Sequence, residues 1–311
     1  MLSLVIPVYK NAESLPALIA SIRDIASQCV DGLEAIFVVD GSPDESADLL
    51  RRELPSSGLP ATLVELSRNF GSFAAIAAGL QQGQGDRFAV IAADLQEPPE
   101  LVITFDRLLA DGTADVVLGH RERRADPWLS RLTAETFWTL YRRFVVPDMP
   151  RGGVDMFGCT KQVRDRLVDL REANSSLVAL LLWVGFRRAS VPYERRARQH
   201  GRSAWTFGRK LRYAIDSIFN FTDIPIKLLL ILGAVATALA VTASVVVSMA
   251  WAIGLVPVLG YTPLMLAITS FGGLTALGLG IVGQYLWLTL QNTRDRPAFI
   301  VRTIARFDVH R

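Results

Sequence analysis

A long uncharged stretch constrains this chain most. Residues 228–293 include no Asp, Glu, Lys, Arg or His, although charged residues make up 20% of the 311-residue sequence. About 20 apolar residues are needed to cross the hydrocarbon core of a bilayer. Two runs in this stretch, residues 228–253 and 264–288, are that long, and Gly and Pro residues interrupt the segment between them. The sequence therefore predicts a hairpin of two transmembrane helices.

Basic residues lie on both outer sides of this hairpin and are missing from its connecting loop. They are Arg209, Lys210, Arg212 and Lys227 before it, and Arg294, Arg296 and Arg302 after it. Cytoplasmic flanks of transmembrane helices carry an excess of Lys and Arg. We therefore expect a multi-pass protein of the inner (cell) membrane with its large N-terminal part and both termini in the cytoplasm. A buried hairpin in a soluble protein is the alternative, which the basic flanks disfavour.

The part of the chain ahead of the spans alternates two patterns. Apolar, β-rich runs at residues 2–8, 33–39, 61–66, 88–93 and 114–119 read as strands, with helical patterns at 15–27, 44–54, 73–81 and 101–109. Such alternation predicts an α/β domain with a mainly parallel sheet covered on both faces. Ligands of such sheets bind at the carboxyl ends of the strands. Only Cys29 and Cys159 are present, so we expect neither a disulfide framework nor a metal-thiolate site.

Polar residues follow the second and fourth predicted strands. After the second, Ser42 can cap the next helix with Glu45 completing a capping box, whereas capping does not explain Asp40. After the fourth, Asp94 and Gln96 alternate and can point the same way from an extended backbone. Oxygen ligands of this kind suit Mg²⁺ or Mn²⁺, which also takes substrate phosphates.

These strings occur in a recognisable order along the chain. They are Pro7-Val8-Tyr9, Asp40-Gly41-Ser42, residues 66–71 and residues 94–100. Together they resemble the family 2 glycosyltransferases with the GT-A fold, and more narrowly the polyprenyl-phosphate glycosyltransferases. That group includes dolichol-phosphate mannose synthase and bacterial enzymes that load undecaprenyl phosphate with glucose or aminoarabinose. The resemblance covers nearly the whole chain and continues through Gly185-Phe186, Val191-Pro192-Tyr193, Gly201-Arg202-Ser203, Gly283-Gln284-Tyr285 and Arg296-Pro297.

The resemblance implies roles for individual residues. The resemblance implies that the nucleotide-sugar donor is bound by Pro7, Tyr9, Asp40, Ser42, Arg68 and Asn69. Metal binding falls on Asp94 and Gln96, and Asp94 and Asp155 are the implied catalytic residues, Asp155 acting near the acceptor phosphate. Contacts to donor or acceptor phosphates fall on Arg121, Arg131, Arg198, Arg202 and Ser203. The implied cofactor is a divalent metal, Mg or Mn.

The sequence departs from the family pattern in three places. Ala92 stands where the family usually has the first carboxylate of an Asp-X-Asp string, so one expected metal ligand is missing. Ala204 replaces a Lys of the phosphate region, and Gln291 stands where Glu is frequent. These changes put donor identity and metal dependence in question more than the fold.

The predicted organisation has four parts. Residues 1–205 form a GT-A (Rossmann-like) catalytic domain, 206–226 a juxtamembrane amphipathic helix, 227–290 the two transmembrane helices and 291–311 a cytoplasmic tail. Two segments mix aromatic with basic residues, as amphipathic helices at a membrane interface do. Residues 207–221 read as such an interfacial helix. For residues 127–147, an interfacial helix and ordinary core packing are equal alternatives. The resemblance also implies a homo-oligomer, a tetramer being the form it suggests.

Three functions are compatible with these features. The leading one is inverting transfer of a sugar from a nucleotide-sugar donor, a UDP-sugar for preference, to polyprenyl (undecaprenyl) phosphate at the membrane, with no nucleic acid as partner. A processive polysaccharide synthase lacks support because the chain has no Gln-X-X-Arg-Trp string and too few spans for a channel. A catalytically degraded membrane scaffold is supported by Ala92, whereas Asp40, Asp94, Gln96 and Asp155 argue against it.

Overall fold

The computed structural model describes residues 1–121, 139, 142–143, 148–150, 153–170, 176–194, 219, 222, 224–253, 261–294 and 296–308. The chain divides into two compact units. The first consists of Met1–Tyr213 with Arg296–Arg311, and the second of Ala214–Asp295.

The first unit alternates strands and helices. Its strands are β1 (Leu2–Val8), β2 (Leu33–Val39), β3 (Ala61–Leu66), β4 (Arg87–Val90), β5 (Val116–Arg121), β6 (Met156–Thr160), β7 (Arg188–Tyr193) and β8 (Val301–Phe307). Its helices are α1 (Leu15–Ala26), α2 (Ser46–Glu53), the short 3-10 helix Leu54–Ser56, α3 (Ser72–Gln82), α4 (Leu101–Ala110), α5 (Lys161–Asp169) and α6 (Leu177–Trp183). The first three strands begin and end where the sequence predicts them.

The strands form one sheet in the order β7-β5-β6-β4-β1-β2-β3-β8. Strands β6 and β8 run antiparallel to their neighbours, and the other six run in one direction. The predicted α/β domain is therefore confirmed, with a mixed sheet whose centre is parallel. Because six strands point the same way, their carboxyl ends lie at one edge of the sheet, which we call the carboxyl edge.

The core of this unit explains why the central strands form. Strands β1, β2 and β3 are apolar over nearly their whole length and are buried, as expected of parallel strands covered on both faces. Helix α1 buries its apolar side chains at helical spacing against them. These side chains are Leu15, Leu18, Ile19, Ile22 and Ile25.

Three strands were missed by the sequence analysis, and two predicted strands are shifted. Strand β4 ends at Val90 instead of residue 93, and β5 runs two residues later than predicted. The missed strands β6, β7 and β8 follow long intervening segments, and β7 includes Pro192 at a sheet edge, where proline is tolerated. Their pairing depends on distant strands, so their own sequences carried a weak signal.

The second unit consists of two long helices, α7 (Ile224–Ala252) and α8 (Tyr261–Thr293). The Tyr285 hydroxyl donates to the Thr222 carbonyl at 3.2 Å, and its ring meets Phe219 edge-on. Within the part of the chain that the structure describes, one helical stretch, Ser270–Gln291, has the length and composition to cross a membrane. The apolar stretch Ile224–Ala236 is shorter, so the predicted pair of transmembrane helices is not established by these criteria.

Candidate active site

Strand register brings three polar residues together at the carboxyl edge. Arg121 and Tyr193 are paired across the parallel strands β5 and β7. Strand β6 runs the other way, and its first residue, Met156, pairs with Gly119 of β5. Asp155, which directly precedes β6, therefore lies beside the end of β5. Residues separated by 34 and 38 positions in the sequence meet because of this pairing.

Asp155 is held by both of these neighbours. The Arg121 guanidinium donates from Nε to one carboxylate oxygen and from Nη2 to the other, the second hydrogen bond measuring 2.6 Å. The Tyr193 hydroxyl donates to the same oxygen that Nε contacts, at 2.7 Å. Paired N–H donors to a carboxylate are among the stronger hydrogen-bond arrangements in proteins. We call Arg121, Asp155 and Tyr193 the arginine cluster.

The surroundings of Tyr193 and Arg121 in the arginine cluster raise the pKa values of both side chains. Burial, and then the charge of Asp155, raise the pKa of Tyr193 far above its usual range, so its phenol stays protonated and donates. Burial alone would lower the pKa of Arg121, but the hydrogen bonds and charge of Asp155 outweigh it and raise that pKa. Glu97 also contributes negative charge at Tyr193, which places the segment after β4 within electrostatic range.

The end of β2 fixes the loop that follows β3. Asp40 is buried, and its two carboxylate oxygens accept the backbone N–H groups of Phe70 at 2.7 Å and Gly71 at 2.8 Å. The Asn69 amide donates to the Asp40 carbonyl at 3.2 Å. Burial raises the pKa of Asp40, and the two N–H groups partly oppose this shift. Asp40 therefore organises the loop at residues 68–71, whatever else it binds.

The predicted helix cap at Ser42 is wrong. Helix α2 begins at Ser46 with Glu45 at its cap position and no side-chain cap hydrogen bond. Ser42 instead donates to Asp44 at 2.5 Å and accepts the N–H of Lys10 at 2.8 Å. Asp44 has a lowered pKa because hydrogen bonds from Ser42, Ser46 and the backbone outweigh its burial. Ser42 thus joins the loops after β1 and β2.

Gly41 allows the loop after β2 to touch the loop after β3. Its φ of +56° is left-handed, and a Cβ at this position would lie 2.3 Å from the carbonyl carbon of Arg68. A left-handed conformation costs about 1–2 kcal/mol for an L-residue, and overpacking costs about 1–3 kcal/mol more. We expect Gly41→Ala to lower the free energy of unfolding by about 2–5 kcal/mol. Urea denaturation followed by circular dichroism measures this loss.

Gly58→Ala is the matched control for that substitution. Gly58 also has a positive φ, +70°, but an added Cβ there meets nothing within 4 Å. The control carries only the conformational cost, so the difference between the two variants isolates the contact with Arg68. Equal losses in both variants would show that the two loops do not pack as described.

The segment after β4 departs from the predicted geometry. Leu95 has a left-handed backbone, with φ of +56°, so residues 94–96 are not the extended segment from which a shared direction was argued. The Gln96 N–H donates to the Asp94 carboxylate at 3.3 Å, and Gln96 is buried. Ser14 of the α1 start donates to the Ala93 carbonyl at 2.7 Å and anchors this turn. Left-handed non-glycine residues are strained and concentrate at functional sites.

The described residues offer an incomplete metal site. Among them no group of three or more His, Cys, Asp or Glu side chains could hold an ion. Asp94 is partly exposed, and Gln96 follows two residues later. Mg²⁺ is usually held by one or two carboxylates, with substrate phosphates and water filling its other positions. The residues present therefore fit a metal completed by a phosphate ligand, and they do not fit a closed protein site.

The remaining predicted site residues fall into two groups. Pro7 and Tyr9 lie at the end of β1, and Arg68 and Asn69 are exposed on the loop after β3, where the Arg68 guanidinium stacks 4.0 Å from the Phe70 ring centroid. Arg131, Arg198, Arg202 and Ser203 lie outside the described residues, as do residues 127–147 and 207–221 except 139, 142–143 and 219.

Sequence reasoning missed two residues of this edge. Tyr193 is the last residue of β7. In the sequence it belongs to the string Val191-Pro192-Tyr193, which carries the family resemblance but implies no role for the tyrosine. Lys10 has a left-handed backbone, with φ of +57°, and its amine lies 5.5 Å from the Tyr9 ring centroid. Neither feature could be read from local periodicity.

Known proteins resemble this chain over most of its length. The model of "Glycosyl transferase family 2" matches residues 3–168. A glycosyltransferase of Synechocystis is 31% identical over 96% of this chain and 94% of its own, and a prophage bactoprenol glucosyl transferase homologue of Escherichia coli is 28% identical over 98% and 99%. The bactoprenol glucosyl transferase of Shigella phage SfV is 29% identical over 97% and 98%.

A solved structure agrees with the fold. Glucosyl-3-phosphoglycerate synthase from Mycobacterium tuberculosis, in complex with Mn²⁺, UDP-glucose and phosphoglyceric acid, matches with a TM-score of 0.50 and 18% identity. The match covers 70% of this chain and 77% of that one. With a family model spanning more than half of its residues and a relative above 30% identity along nearly its full length, this chain belongs to glycosyl transferase family 2.

Proposed function

We propose that this glycosyltransferase moves a sugar, with inversion, from a nucleotide-sugar donor, a UDP-sugar for preference, to polyprenyl phosphate at the cytoplasmic face of the membrane. The observation that carries this proposal is the arginine cluster, which presents a rigidly held guanidinium at the same sheet edge as the loop organised by Asp40. Relatives named bactoprenol glucosyl transferases support a polyprenyl acceptor.

The order of the strands suits two substrates. The expected donor residues follow β1, β2 and β3, the arginine cluster lies on β5, β6 and β7, and Asp94 follows β4 between these two groups. A nucleotide bound over β1–β3 can therefore direct its diphosphate toward Asp94. An acceptor phosphate near Arg121 can then approach the sugar from the side opposite the diphosphate, which gives inversion.

The chemistry asks for charge neutralisation more than for a base. A phosphate monoester is already an anionic oxygen nucleophile at neutral pH, so alignment with the anomeric carbon supplies much of the rate. Asp94 and Gln96 would hold a divalent metal, which neutralises the leaving diphosphate when bound. Arg121 supplies positive charge for the second phosphate and reduces the repulsion between the two anions.

A lipid acceptor requires an enzyme at the bilayer. Withdrawing a hydrocarbon tail from the membrane costs about 0.8 kcal/mol per CH₂, so the reaction site must come to the lipid. We propose that α7 and α8 form the predicted transmembrane hairpin, with the flanking basic residues placing both termini in the cytoplasm. The homo-oligomer that the family resemblance implies stays a prediction.

The direct test is transfer of radiolabelled sugar from a panel of UDP- and GDP-sugars to undecaprenyl phosphate by the full-length protein. Asp94→Ala removes the one carboxylate of the proposed metal position, and we expect at least a hundredfold loss of product with the cluster intact. Removing a group that stabilises developing charge costs about 10²–10³-fold. Product should also disappear in EDTA and return with Mg²⁺ or Mn²⁺.

The controls distinguish this proposal from a degraded scaffold. Asp48→Ala removes an exposed carboxylate of α2 and should leave transfer unchanged. If folded protein gives no product with any donor, while still binding a nucleotide, the scaffold gains support and the proposed function fails. Undiminished product in EDTA would contradict the metal role and leave the transfer itself supported.

A further inference from the structure

The Asp155 carboxylate is hydrogen-bonded to two neighbouring side chains of the sheet edge. It accepts Nε and Nη2 of Arg121 and the hydroxyl of Tyr193. A carboxylate accepts hydrogen bonds through its two oxygens, and two of the three donor atoms here belong to the guanidinium of Arg121. A group held this way is poorly placed to take a proton from an acceptor. A phosphate acceptor also has no need to give one up.

Among the described residues, Asp155 uses only part of the donor capacity of Arg121. A guanidinium carries five N–H groups in a planar fork, and Asp155 takes two of them, from Nε and Nη2. The Nη1 group and the second hydrogen of Nη2 form the adjacent edge of the planar guanidinium. That edge matches the spacing of two phosphate oxygens. Fixing the Asp155 side therefore fixes the direction in which the phosphate-binding side points.

We propose that Tyr193 is a positioning residue, which acts through Asp155 to hold the Arg121 guanidinium in the orientation that receives the acceptor phosphate. This inference rests on the proposed function. Asp155 then contributes through Arg121 and not as a base.

Two features of Tyr193 favour this role over a purely structural one. Its ring belongs to the buried apolar core, where phenylalanine would pack as well. Its hydroxyl donates a hydrogen bond to Asp155 at 2.7 Å. It stays protonated because burial and the Asp155 charge raise the pKa of the phenol. The hydroxyl is thus a permanent donor to the residue that orients Arg121.

The test is Tyr193→Phe, which removes the hydroxyl and keeps the ring. A hydrogen bond to a charged group is worth enough to change a rate or affinity by about ten- to hundredfold. We expect kcat/KM for undecaprenyl phosphate to fall by about tenfold or more, while the KM of the nucleotide sugar stays within about twofold of wild type. Tyr285→Phe, which removes a hydroxyl bonded to the Thr222 carbonyl, is the matched control.

A double-mutant cycle separates positioning from independent action. If Tyr193 acts through Asp155, adding Tyr193→Phe to Asp155→Asn changes kcat/KM by less than about twofold. Losses that multiply in the double variant, or an equal rise in the donor KM, would overturn the inference.

Binding of dodecyl phosphate gives a readout that needs no transfer. We expect Tyr193→Phe to weaken dodecyl phosphate binding by about tenfold, as measured by isothermal titration calorimetry in detergent, and to leave dodecanol binding unchanged. If the wild-type protein transfers sugar and the Tyr193→Phe variant has the same kinetics and the same dodecyl phosphate binding, this inference is refuted and the proposed function stands. Wild-type protein that neither transfers sugar nor prefers dodecyl phosphate refutes the proposed function.

Discussion

Replacing Arg121 with alanine is expected to lower kcat/KM for the lipid acceptor by about 10²–10³-fold. In the proposed function this guanidinium binds the acceptor phosphate, and loss of one preorganised donor to developing charge costs about 2.7–4 kcal/mol. Arg121→Lys should recover only part of the rate, because an ammonium cannot pair with both Asp155 oxygens and a phosphate in one plane. Steady-state transfer to undecaprenyl phosphate measures both variants.

Arg187→Ala is the control for that result. Arg187 also pairs with both oxygens of an aspartate, Asp115, but this pair is exposed and precedes β5, at the sheet edge opposite Arg121. Its removal deletes the same kind of contact without touching the carboxyl edge, so transfer should stay within about twofold, as for most exposed ion pairs. Equal losses in the two variants would mean that Arg121 acts through stability and not at the acceptor.

Asp106→Asn is expected to lower the free energy of unfolding by about 3–5 kcal/mol. Asp106 is fully buried and accepts Nε of Arg87 at 2.7 Å and the N–H of Val30 at 2.8 Å. The substitution leaves the mostly buried Arg87 with the exposed Asp31 as its remaining charged partner, and breaking a buried ion pair costs about this much. The measurement is the rate at which Cys159 reacts with a maleimide in urea. This thiol is fully buried, so it reacts when the protein unfolds, and the rate reports the free energy of unfolding.

Two variants test the cause of this loss. Asp31→Asn also removes a carboxylate from Arg87, but Asp31 is 58% exposed, so it should cost about 1 kcal/mol or less. Replacing both charges, as Arg87→Met with Asp106→Leu, should recover much of the loss because no buried charge remains. A double variant as unstable as Asp106→Asn would contradict this account. Cys29→Ala is added throughout, so that Cys159 is the single reactive thiol.

Local sequence patterns predict the central strands of the fold correctly. Strands β1, β2 and β3 are apolar runs bounded by turns, and such runs specify buried parallel strands without reference to distant partners. The position of Asp40 at a strand end followed from the same reasoning. Its task did not, because the N–H groups that it accepts belong to Phe70 and Gly71, thirty residues away.

Non-local pairing explains the errors. The local string around Ser42 predicts a helix cap, whereas in the structure Ser42 accepts the backbone N–H of Lys10 from the loop after β1. The alternation of Asp94 and Gln96 predicts extended backbone, but the chain turns at Leu95. A left-handed residue that is not glycine has no local signature, since the surrounding structure imposes it.

The sequence by itself determined the α/β class, the central strands, the family and the apolar character of the C-terminal helices, because periodicity, composition and ordered strings are properties of neighbouring residues. Only the tertiary structure decided that β6 runs antiparallel between β4 and β5 and that β7 borders β5. That arrangement joins Arg121, Asp155 and Tyr193 into one cluster. Contacts between residues more than thirty positions apart depend on strand order and register, which no local pattern encodes.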